Sequence, residues 1–465
     1  MSKICDIDES GDVLVTYTGN ERDGLKVEKT YTPLPKAILY AFLPAGFPHT
    51  VTDDYLAYQT FDSLQAFSSS ITNLLANRAI LEGLGVGNSS QTPTTALLLQ
   101  IIQDTFSRLA TILFAHRMGQ AIEPECKYYR FLADIFNDCS QFLDLLLPAL
   151  PLLPKVSVMV TASVLRSLCG VAAGASKATL SAHFATNGNL AELNAKEQSQ
   201  ETVVSLMGML AGTLLVKMVE DKTAVWCWMV VLVGIHLLTN YCGVCAVKMR
   251  TLNRQRATIV FREFLETKTV LSPTEVAKRE SIIFNSHGNV TSRTAEYKGT
   301  ADFGGYGDVM NFRPWGYHRY VFDTEDYFMG IWQWGPSFTI RIALKEGKRS
   351  DNDPLMAWFD AVAHAYYFDT AIFKDGLGGM GHYENEVPDD HLVGSGVVDR
   401  DTKLALLNAL REKGWEVENA AVETKSPVRV RIGGSEKSLK VPPIPSEKDH
   451  GPLLHRPPSR QAKHD

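Results

Sequence analysis

The sequence has little of what marks a nucleic-acid-binding or a secreted protein. Its 46 lysine and arginine residues face 52 aspartate and glutamate residues, so the net charge is −6 and no global basic field attracts nucleic acid. Only seven cysteines occur, mostly in apolar segments, which favours reduced thiols and an intracellular setting over a disulfide framework. The N-terminal text, MSKICDIDESGDVLV, predicts neither a secretory signal nor a transit peptide. We therefore expect an intracellular protein with no nucleic-acid partner.

Motifs of catalysis and metal binding are also scarce. No G-x-S-x-G, HExxH, kinase or dinucleotide-binding signature occurs. The run GLGVG, from Gly83 to Gly87, follows a predicted helix and lacks phosphate-loop spacing, which favours a helix-ending turn. Cys242 and Cys245 have the spacing of a redox or metal pair, but their apolar segment favours simple packing. The sequence predicts no metal site, and an enzymatic function has the least support.

The most prominent feature that is present is an apolar segment at residues 224–247, which contains no aspartate, glutamate, lysine or arginine. As a helix with a rise of about 1.5 Å per residue, it is long enough to cross the roughly 30 Å hydrocarbon core of a bilayer. A basic cluster follows directly, as the positive-inside rule expects on the cytosol-like side: Lys248, Arg250, Arg254 and Arg256. The segment therefore predicts a membrane span.

A second apolar segment, at residues 203–219, carries Gly208 and Gly212 four positions apart. The two segments predict a membrane hairpin over residues 203–247, in which small residues allow close contact between helices. Gly170 and Gly174 have the same spacing and the same expected role. We expect one or two spans in an intracellular membrane of unassigned compartment. The alternative is a soluble bundle in which these segments are buried core helices.

Helical periodicity dominates up to about residue 265, and short strands and loops follow. The expected fold class is mainly α, a helical membrane-associated bundle with a C-terminal α+β domain. We expect an N-terminal hairpin or extension at 1–34, the helical domain at 35–265 and the α+β domain at 270–435. The proline-rich, polar composition of residues 436–465 predicts a disordered tail.

A polar block at residues 180–202, between two apolar segments, is the main candidate for a binding site. Polar groups in apolar surroundings need partners, and acidic and amide residues at helical spacing on a preceding helix could face the block. Interhelical hydrogen bonds and helix capping are the structural alternative. The candidate cluster comprises Asp134, Asn137, Asp138, Lys177, His183, Asn187, Asn189, Lys196 and Gln198.

Three blocks of the chain are distinctive and stand in a fixed order: FLPAGFPHTVTDDYLAYQTF, ECKYYRFLADIFNDCSQFLDLLLP and HFATNGNLAELNAKEQSQET. Together they resemble the root UVB sensitive family, and the resemblance runs from about Leu43 to Glu280. It implies a relation to plant members tied to UV-B responses and to vitamin B6 homoeostasis. It also implies membrane association and complexes between paralogues. It implies no catalytic residue, because none is established for the family as a whole.

Two functional hypotheses treat the chain as a membrane-associated protein of unknown biochemical activity. The first is a scaffold or binding protein that acts with partners, as a homo-oligomer or in a hetero-complex with a paralogue. The alternative is a carrier or binder of a small metabolite at a polar site in residues 183–200, with Lys177 or Lys196 contacting an anionic or aldehyde group. The resemblance makes a vitamin B6 vitamer the candidate ligand, and no other cofactor is indicated.

Overall fold

The computed structural model contains two compact units. The first comprises Met1–Asn289, Ser350–Ala363 and Arg400–Pro427, and the second comprises Val290–Arg349, His364–Asp399 and Val428–Asp465. The structure describes residues 2–7, 13–20, 24–29, 42–84, 93–283, 288–310, 318–347, 353–369 and 398–432. The predicted disordered tail at 436–465 and the last three residues of the GLGVG run lie outside the described residues.

A small antiparallel sheet lies at the start of the chain. Its strands are β1 (Ser2–Ile7), β2 (Val13–Asn20) and β3 (Gly24–Lys29), in the order β1-β2-β3. The predicted hairpin corresponds to β2 and β3, and β1 is one strand more than expected. It pairs with β2 from Ser2 opposite Gly19 to Asp6 opposite Val15. Backbone pairing at an open sheet edge needs no hydrophobic pattern in the added strand, so the sequence did not indicate β1.

Six long helices make up the helical domain: α1 (Tyr55–Gly83), α2 (Pro93–Ile122), α3 (Cys126–Leu146), α4 (Leu152–Phe184), α5 (Leu190–Met218) and α6 (Lys222–Ala246). The polar block predicted at residues 180–202 is not a separate segment, because it forms the end of α4, the turn that follows and the first half of α5. The chain breaks at a short 3-10 turn, Leu147–Ala149, and Pro154 is accommodated in the first turn of α4, where its missing N–H leaves no bond unmade.

Contacts between helix ends show that the helices run alternately in opposite directions. At one end of the bundle, here end A, the start of α1 meets the end of α4 through a hydrogen bond from the Thr52 amide to the Phe184 carbonyl (3.1 Å). Lys127 at the start of α3 donates to the Val247 carbonyl after α6 (2.6 Å). At the opposite end, end B, Lys155 at the start of α4 donates to the Gly83 carbonyl (2.7 Å).

Helices α1 and α3 are the inner helices, and α2, α4, α5 and α6 lie outside them. The two segments of the predicted hairpin are consecutive antiparallel helices, α5 and α6, and both pack chiefly on α1. Ile71 and Leu75 of α1 belong to one apolar cluster with Met229 of α6, and Leu215 of α5 packs against it. A hydrophobic segment next in sequence is therefore not the neighbour in space.

The glycine pairs have different surroundings. A Cβ atom on Gly208 would lie 2.7 Å from the Phe67 carbonyl oxygen, and one on Gly212 would lie 2.7 Å from Leu74, so both glycines permit close contact of α5 with α1. Gly170 and Gly174 on α4 have no described atom within 4 Å of the Cβ position. The first pair therefore contacts α1, and the second lies at the surface of the bundle.

The inner helices bury polar residues and expose apolar ones. On α1 the leucines Leu56, Leu64 and Leu81 are each more than half exposed. The buried polar residues of α1 are Gln59, Asp62, Gln65, Ser68 and Thr72, and those of α3 include Lys127, Arg130, Asp134, Asp138 and Asp144. Buried charges together with exposed leucines depart from the usual distribution, in which a helix of a water-soluble protein exposes its polar face and buries its apolar one.

The remaining elements of the first unit follow α6: β4 (Thr251–Asn253), α7 (Arg254–Thr267), α8 (Pro273–Ala277), the first part of α10 (Asp353–Tyr366), α11 (Arg400–Glu412) and β10 (Glu416–Ala421), which pairs with β4 in parallel. The basic cluster after α6 is bound into this region. Lys248 pairs with Asp53 (2.6 Å), Arg250 approaches Glu416 (3.5 Å) and Arg256 is 2% exposed. These side chains hold segments of the unit together.

The second unit is built on a mixed sheet. Its strands are β5 (Asn289–Thr291), β6 (Lys298–Phe303), β7 (His318–Asp323), β8 (Tyr327–Trp334), β9 (Ser337–Lys345) and β11 (Arg429–Val430), with the short helix α9 (Tyr306–Met310). The order is β5-β6-β9-β8-β7, with β11 on β9. The two strands predicted around Gly335 are β8 and β9. The mainly α fold class with a C-terminal sheet region is confirmed.

Candidate functional site: a buried row of charges

Arg130 on α3 is the centre of a buried ion network in the helical domain. Its guanidinium donates to Asp62 of α1 (2.8 Å) and to Asp134 on its own helix (3.1 Å). It also donates to the side-chain oxygen of Gln65 (3.2 Å). All four residues are at least nine-tenths buried. The network therefore joins the two inner helices through charge-assisted hydrogen bonds that water does not screen.

The same network extends to α6 through Asp134. One oxygen of Asp134 accepts hydrogen bonds from Gln65 and from Asn240 of α6. His236, one turn before Asn240, lies between two carboxylates, with Nδ1 at 2.8 Å from Asp138 and Nε2 at 3.8 Å from Asp134. His236 and Asn240, which lie within the apolar segment at residues 224–247, thus contact acidic side chains of α3.

On the opposite side of the bundle, two contacts join α4 to α5. Lys177 pairs with Glu201 (2.8 Å), and Ser181 donates to Glu197 (3.1 Å). Asp62, Lys177 and Glu197 each lie seven residues from the end-A terminus of their helix, so these contacts share one layer with the Arg130 network. We call it the charge row, and it comprises Asp62, Arg130, Asp134, Asp138, Lys177, Glu197, Glu201 and His236. Residue counts from the helix ends place the row about 6–18 Å from end A at 1.5 Å per residue.

Helical spacing explains how the sequence builds the row. Arg130, Asp134 and Asp138 recur every four residues on α3, and Lys177 precedes Ser181 by four residues on α4. Residues four apart lie on one face of a helix, so each helix presents its polar group toward the same layer. Five members of the row were not among the predicted site residues (Asp62, Arg130, Glu197, Glu201 and His236), although a charge repeated at this spacing in an apolar helix was a usable signal.

The predicted polar cluster does not converge on one site. Asp134, Asp138 and Lys177 belong to the charge row, whereas His183 pairs with Asp54 at end A (3.1 Å). Asn189 donates to the Thr50 carbonyl (3.2 Å). The other predicted members lie apart from the row: Asn187 is exposed in the α4–α5 turn, Gln198 is exposed on α5, Lys196 is half-buried there and Asn137 is half-buried on α3.

Asp54 has a structural position at end A. Burial would raise the pKa of its carboxyl, but hydrogen bonds from His183 and from the Lys248 amide hold that pKa well below its ordinary value. The carboxylate therefore ties the start of α1 to the end of α4 and to the exit of α6. The carboxylate acts as a helix cap does, because the ends of a helix have unpaired backbone groups and a partial charge that a charged side chain can stabilise.

A second buried ion cluster lies beyond end A, where Glu280 receives Lys127 (2.7 Å) and Arg256 (2.8 Å). Burial raises the pKa of the Glu280 carboxyl, but the two cations outweigh this effect and lower the pKa below its ordinary value. Tyr128 and Asn253 line a small indentation beside it. No three histidine, cysteine or acidic side chains among the described residues are grouped so that they could hold a metal ion.

Comparison with known proteins places the charge row in a recognised domain. A sequence profile described as "Vitamin B6 photo-protection and homoeostasis domain" matches residues 28–268, just over half of the chain. The chain belongs to the root UVB sensitive family. RUS family member 1 of Dictyostelium discoideum is 39% identical over 248 residues, which cover 52% of this chain and 47% of that protein. Protein root UVB sensitive 3 of Arabidopsis thaliana is 36% identical over 249 residues, covering 53% and 56%.

The root UVB sensitive domain contains the six long helices and therefore the entire charge row. The second unit lies outside the matched residues. The chain spans about half the length of the curated relatives it matches. No solved structure matches the chain.

Proposed function

We propose that the helical domain is integral to an intracellular membrane, with α2, α4, α5 and α6 as four spans around α1 and α3. The observation that carries this proposal is the inverted polarity of the bundle, whose inner helices bury charges while the outer helices expose apolar side chains. The four outer helices are long and apolar enough to cross a membrane. Hydrocarbon surroundings favour such a surface, and charged groups in membranes face the protein interior.

The exposed apolar area supports lipid as the surrounding medium. In the most apolar stretch of α2, within residues 97–122, no residue is buried. Asp104 and Arg108 on α2 are one turn apart, so each can neutralise the other. The exposed apolar residues include Leu97, Leu98, Ile101, Ile102, Phe106, Leu109, Ile112 and Leu113 on α2, Leu206, Met207, Leu210 and Leu214 on α5, and Trp228, Val230, Val231, Ile235 and Leu238 on α6.

In this membrane the protein acts with partners, as a scaffold or binding protein in vitamin B6 homoeostasis. The matched domain's description supplies the process. Gly170 and Gly174 supply a contact surface, because the open space beyond them lets a helix of a second chain approach closely. That second chain is another copy or a paralogue. Gly208 and Gly212 do not serve this purpose, since α1 already occupies their face.

A second candidate function is the binding of a small metabolite, a vitamin B6 vitamer, and the charge row favours it. Charged side chains inside a membrane domain are costly and commonly mark substrate sites. The site then centres on the charge row, which shares Glu197 with residues 183–200, and not on His183, which is engaged with Asp54. Lys177, whose side chain is 32% exposed, lies at the accessible edge of the row.

Alkaline carbonate extraction combined with thiol labelling tests membrane residence. We expect the full chain to remain in the membrane pellet, and we expect exposed Cys227 on α6 to resist a membrane-impermeant maleimide until detergent is added. A Leu404→Cys variant is the matched control, because Leu404 is exposed on α11, outside the proposed spans. Release into the soluble fraction with rapid labelling of Cys227 in water would contradict the proposal.

Partner dependence is tested on the surface glycines. The double variant Gly170→Leu, Gly174→Leu should change the oligomer size or remove co-purifying protein while the membrane fraction stays normal. Gly234→Leu on α6 is the control, because its Cβ position is also open. Unchanged assembly in the double variant would refute the contact surface.

A further inference from the structure

We propose that the α4–α5 end of the charge row is a binding site for a small organic cation, a molecule that carries a protonated amine, with Glu197 as its principal acceptor. The inference deepens the metabolite-binding candidate above and rests on it. It commits to the charge class of the ligand, which neither the family description nor the resemblance assigns.

Glu197 is the residue that points to a ligand. It is 2% exposed, and its Oε2 accepts a hydrogen bond from Ser181 (3.1 Å). Its Oε1 has no hydrogen-bond partner within the part of the chain that the structure describes. A buried carboxylate oxygen without a donor is strongly unfavourable, so a donor from outside the chain is expected to fill this position.

The surrounding charges select a cation. At this end of the row Glu197 and Glu201 contribute two carboxylates, and Lys177 contributes one ammonium group. Arg130 does not neutralise the surplus, because it is shared between Asp62 and Asp134. The negative surplus attracts a cation and repels a phosphate or carboxylate ligand in a weakly screening interior.

The spacing of the acids favours an organic cation over a metal ion. Among the described residues, no three acidic or histidine side chains come close enough together to hold one metal ion. A ligand that brings its own N–H donors can reach separated acceptors. The rings of Tyr55 and Tyr58 pack on Phe184, with centroids 5.5 and 5.1 Å from that of its ring.

The Lys177–Glu201 pair forms the mouth of the site. Both side chains are partly exposed, at 32% and 41%, and each is one turn from the buried Ser181–Glu197 contact. An entering ammonium group competes with the Lys177 ammonium for the same carboxylates. Lys177 is therefore expected to weaken binding, which gives its substitution the opposite sign from that of Glu197.

The test uses the purified full-length chain in detergent and isothermal titration with three probes at matched ionic strength. Pyridoxamine carries a protonated amine, pyridoxine lacks that amine, and pyridoxal 5′-phosphate is anionic. We expect saturable binding of pyridoxamine, at least about tenfold weaker binding of pyridoxine and no binding of pyridoxal 5′-phosphate at this site. Tighter binding of the phosphate than of the amine, or no binding of pyridoxamine, would overturn the inference.

Variants assign the binding to this end of the row. Glu197→Gln keeps an acceptor for Ser181 and should weaken pyridoxamine binding at least about tenfold. Lys177→Met should strengthen it, and Glu220→Gln, an exposed acid beyond the end of α5, should leave it unchanged.

If Glu197→Gln does not fold, Glu201→Gln must weaken binding and Lys177→Met must strengthen it. Equal binding by the variants refutes the site. Normal carbonate resistance without amine binding refutes this inference alone, whereas release from membranes refutes the membrane proposal.

Discussion

Replacement of one exposed apolar residue of α6 by arginine tests whether the helical domain is a membrane domain or a soluble bundle. Ile235 is 46% exposed and lies one residue from the midpoint of Lys222–Ala246. At 1.5 Å per residue it is about 17 Å from the nearer helix end, so an arginine there cannot easily reach the interface. The variant Ile235→Arg is therefore expected to be harmful only if α6 faces lipid.

The expected magnitude follows from the cost of transferring each side chain into the membrane. At the centre of a spanning helix, isoleucine contributes about −0.6 kcal/mol and arginine costs about 2.5–3.5 kcal/mol, so the exchange disfavours insertion by about 3–4 kcal/mol. Because 1.4 kcal/mol is a factor of ten, the ratio of inserted to soluble chain should fall more than a hundredfold. On a water-exposed surface the same exchange would change stability by only about 0.5 kcal/mol.

The assay compares membrane-inserted with released protein after carbonate extraction, and thermal unfolding in detergent serves as the check on folding. Leu404→Arg is the matched control, because Leu404 is 57% exposed on α11 and lies outside the proposed spans. We expect a large loss of inserted protein for Ile235→Arg and none for Leu404→Arg. If both variants match the unsubstituted chain in both measurements, α6 is water-exposed and the membrane proposal is wrong.

Three further predictions concern the packing and the buried charges. Gly208→Leu should lower the unfolding temperature in detergent, since even a Cβ atom meets α1 at 2.7 Å, whereas Gly174→Leu should leave it unchanged. Arg130→Met should destabilise the domain by about 3–5 kcal/mol in denaturant unfolding, because two buried aspartates lose their cation. Glu280, whose pKa is lowered in the fold, stabilises fully above its ordinary pKa of 4.5 and loses this contribution as the pH falls through its folded pKa. The unfolding temperature of Glu280→Gln should therefore decline less than that of the unsubstituted chain between about pH 6 and pH 3.5.

The long helices were predictable because each combines an apolar repeat with a clear stop. The apolar segment predicted at 224–247 is α6 within two residues at each end. Their neighbours in space were not predictable in the same way. Sequence adjacency favoured a hairpin of the last two segments, whereas α1 lies between them and provides the surface that Gly208 and Gly212 meet. Tertiary packing decides such pairings, and local pattern does not encode it.

The candidate site was only partly predictable for a related reason. Asp134 and Asp138 were among the predicted site residues, but Arg130 and Asp62 were not. On a water-soluble helix a charged residue is most often exposed, and that expectation failed for the inner helices. His183 illustrates the opposite error, since it is engaged at end A with Asp54 rather than in a shared cluster.

If the bundle lies in the proposed membrane, the charge row also explains how it keeps one arrangement. Apolar contacts in a hydrocarbon medium give little preference for one helix rotation over another, because lipid tails are as apolar as leucine. Arg130 can bind Asp62 only when α1 and α3 are correctly rotated. Asn240 holds α6 against Arg130 and Asp134 of α3. Polar contacts also hold end B, where Arg78 of α1 donates to the Val216 and Val219 carbonyls (3.3 and 2.9 Å). The charge row adds the layer in which side chains from five helices meet, and a ligand that binds Glu197 would act on that layer.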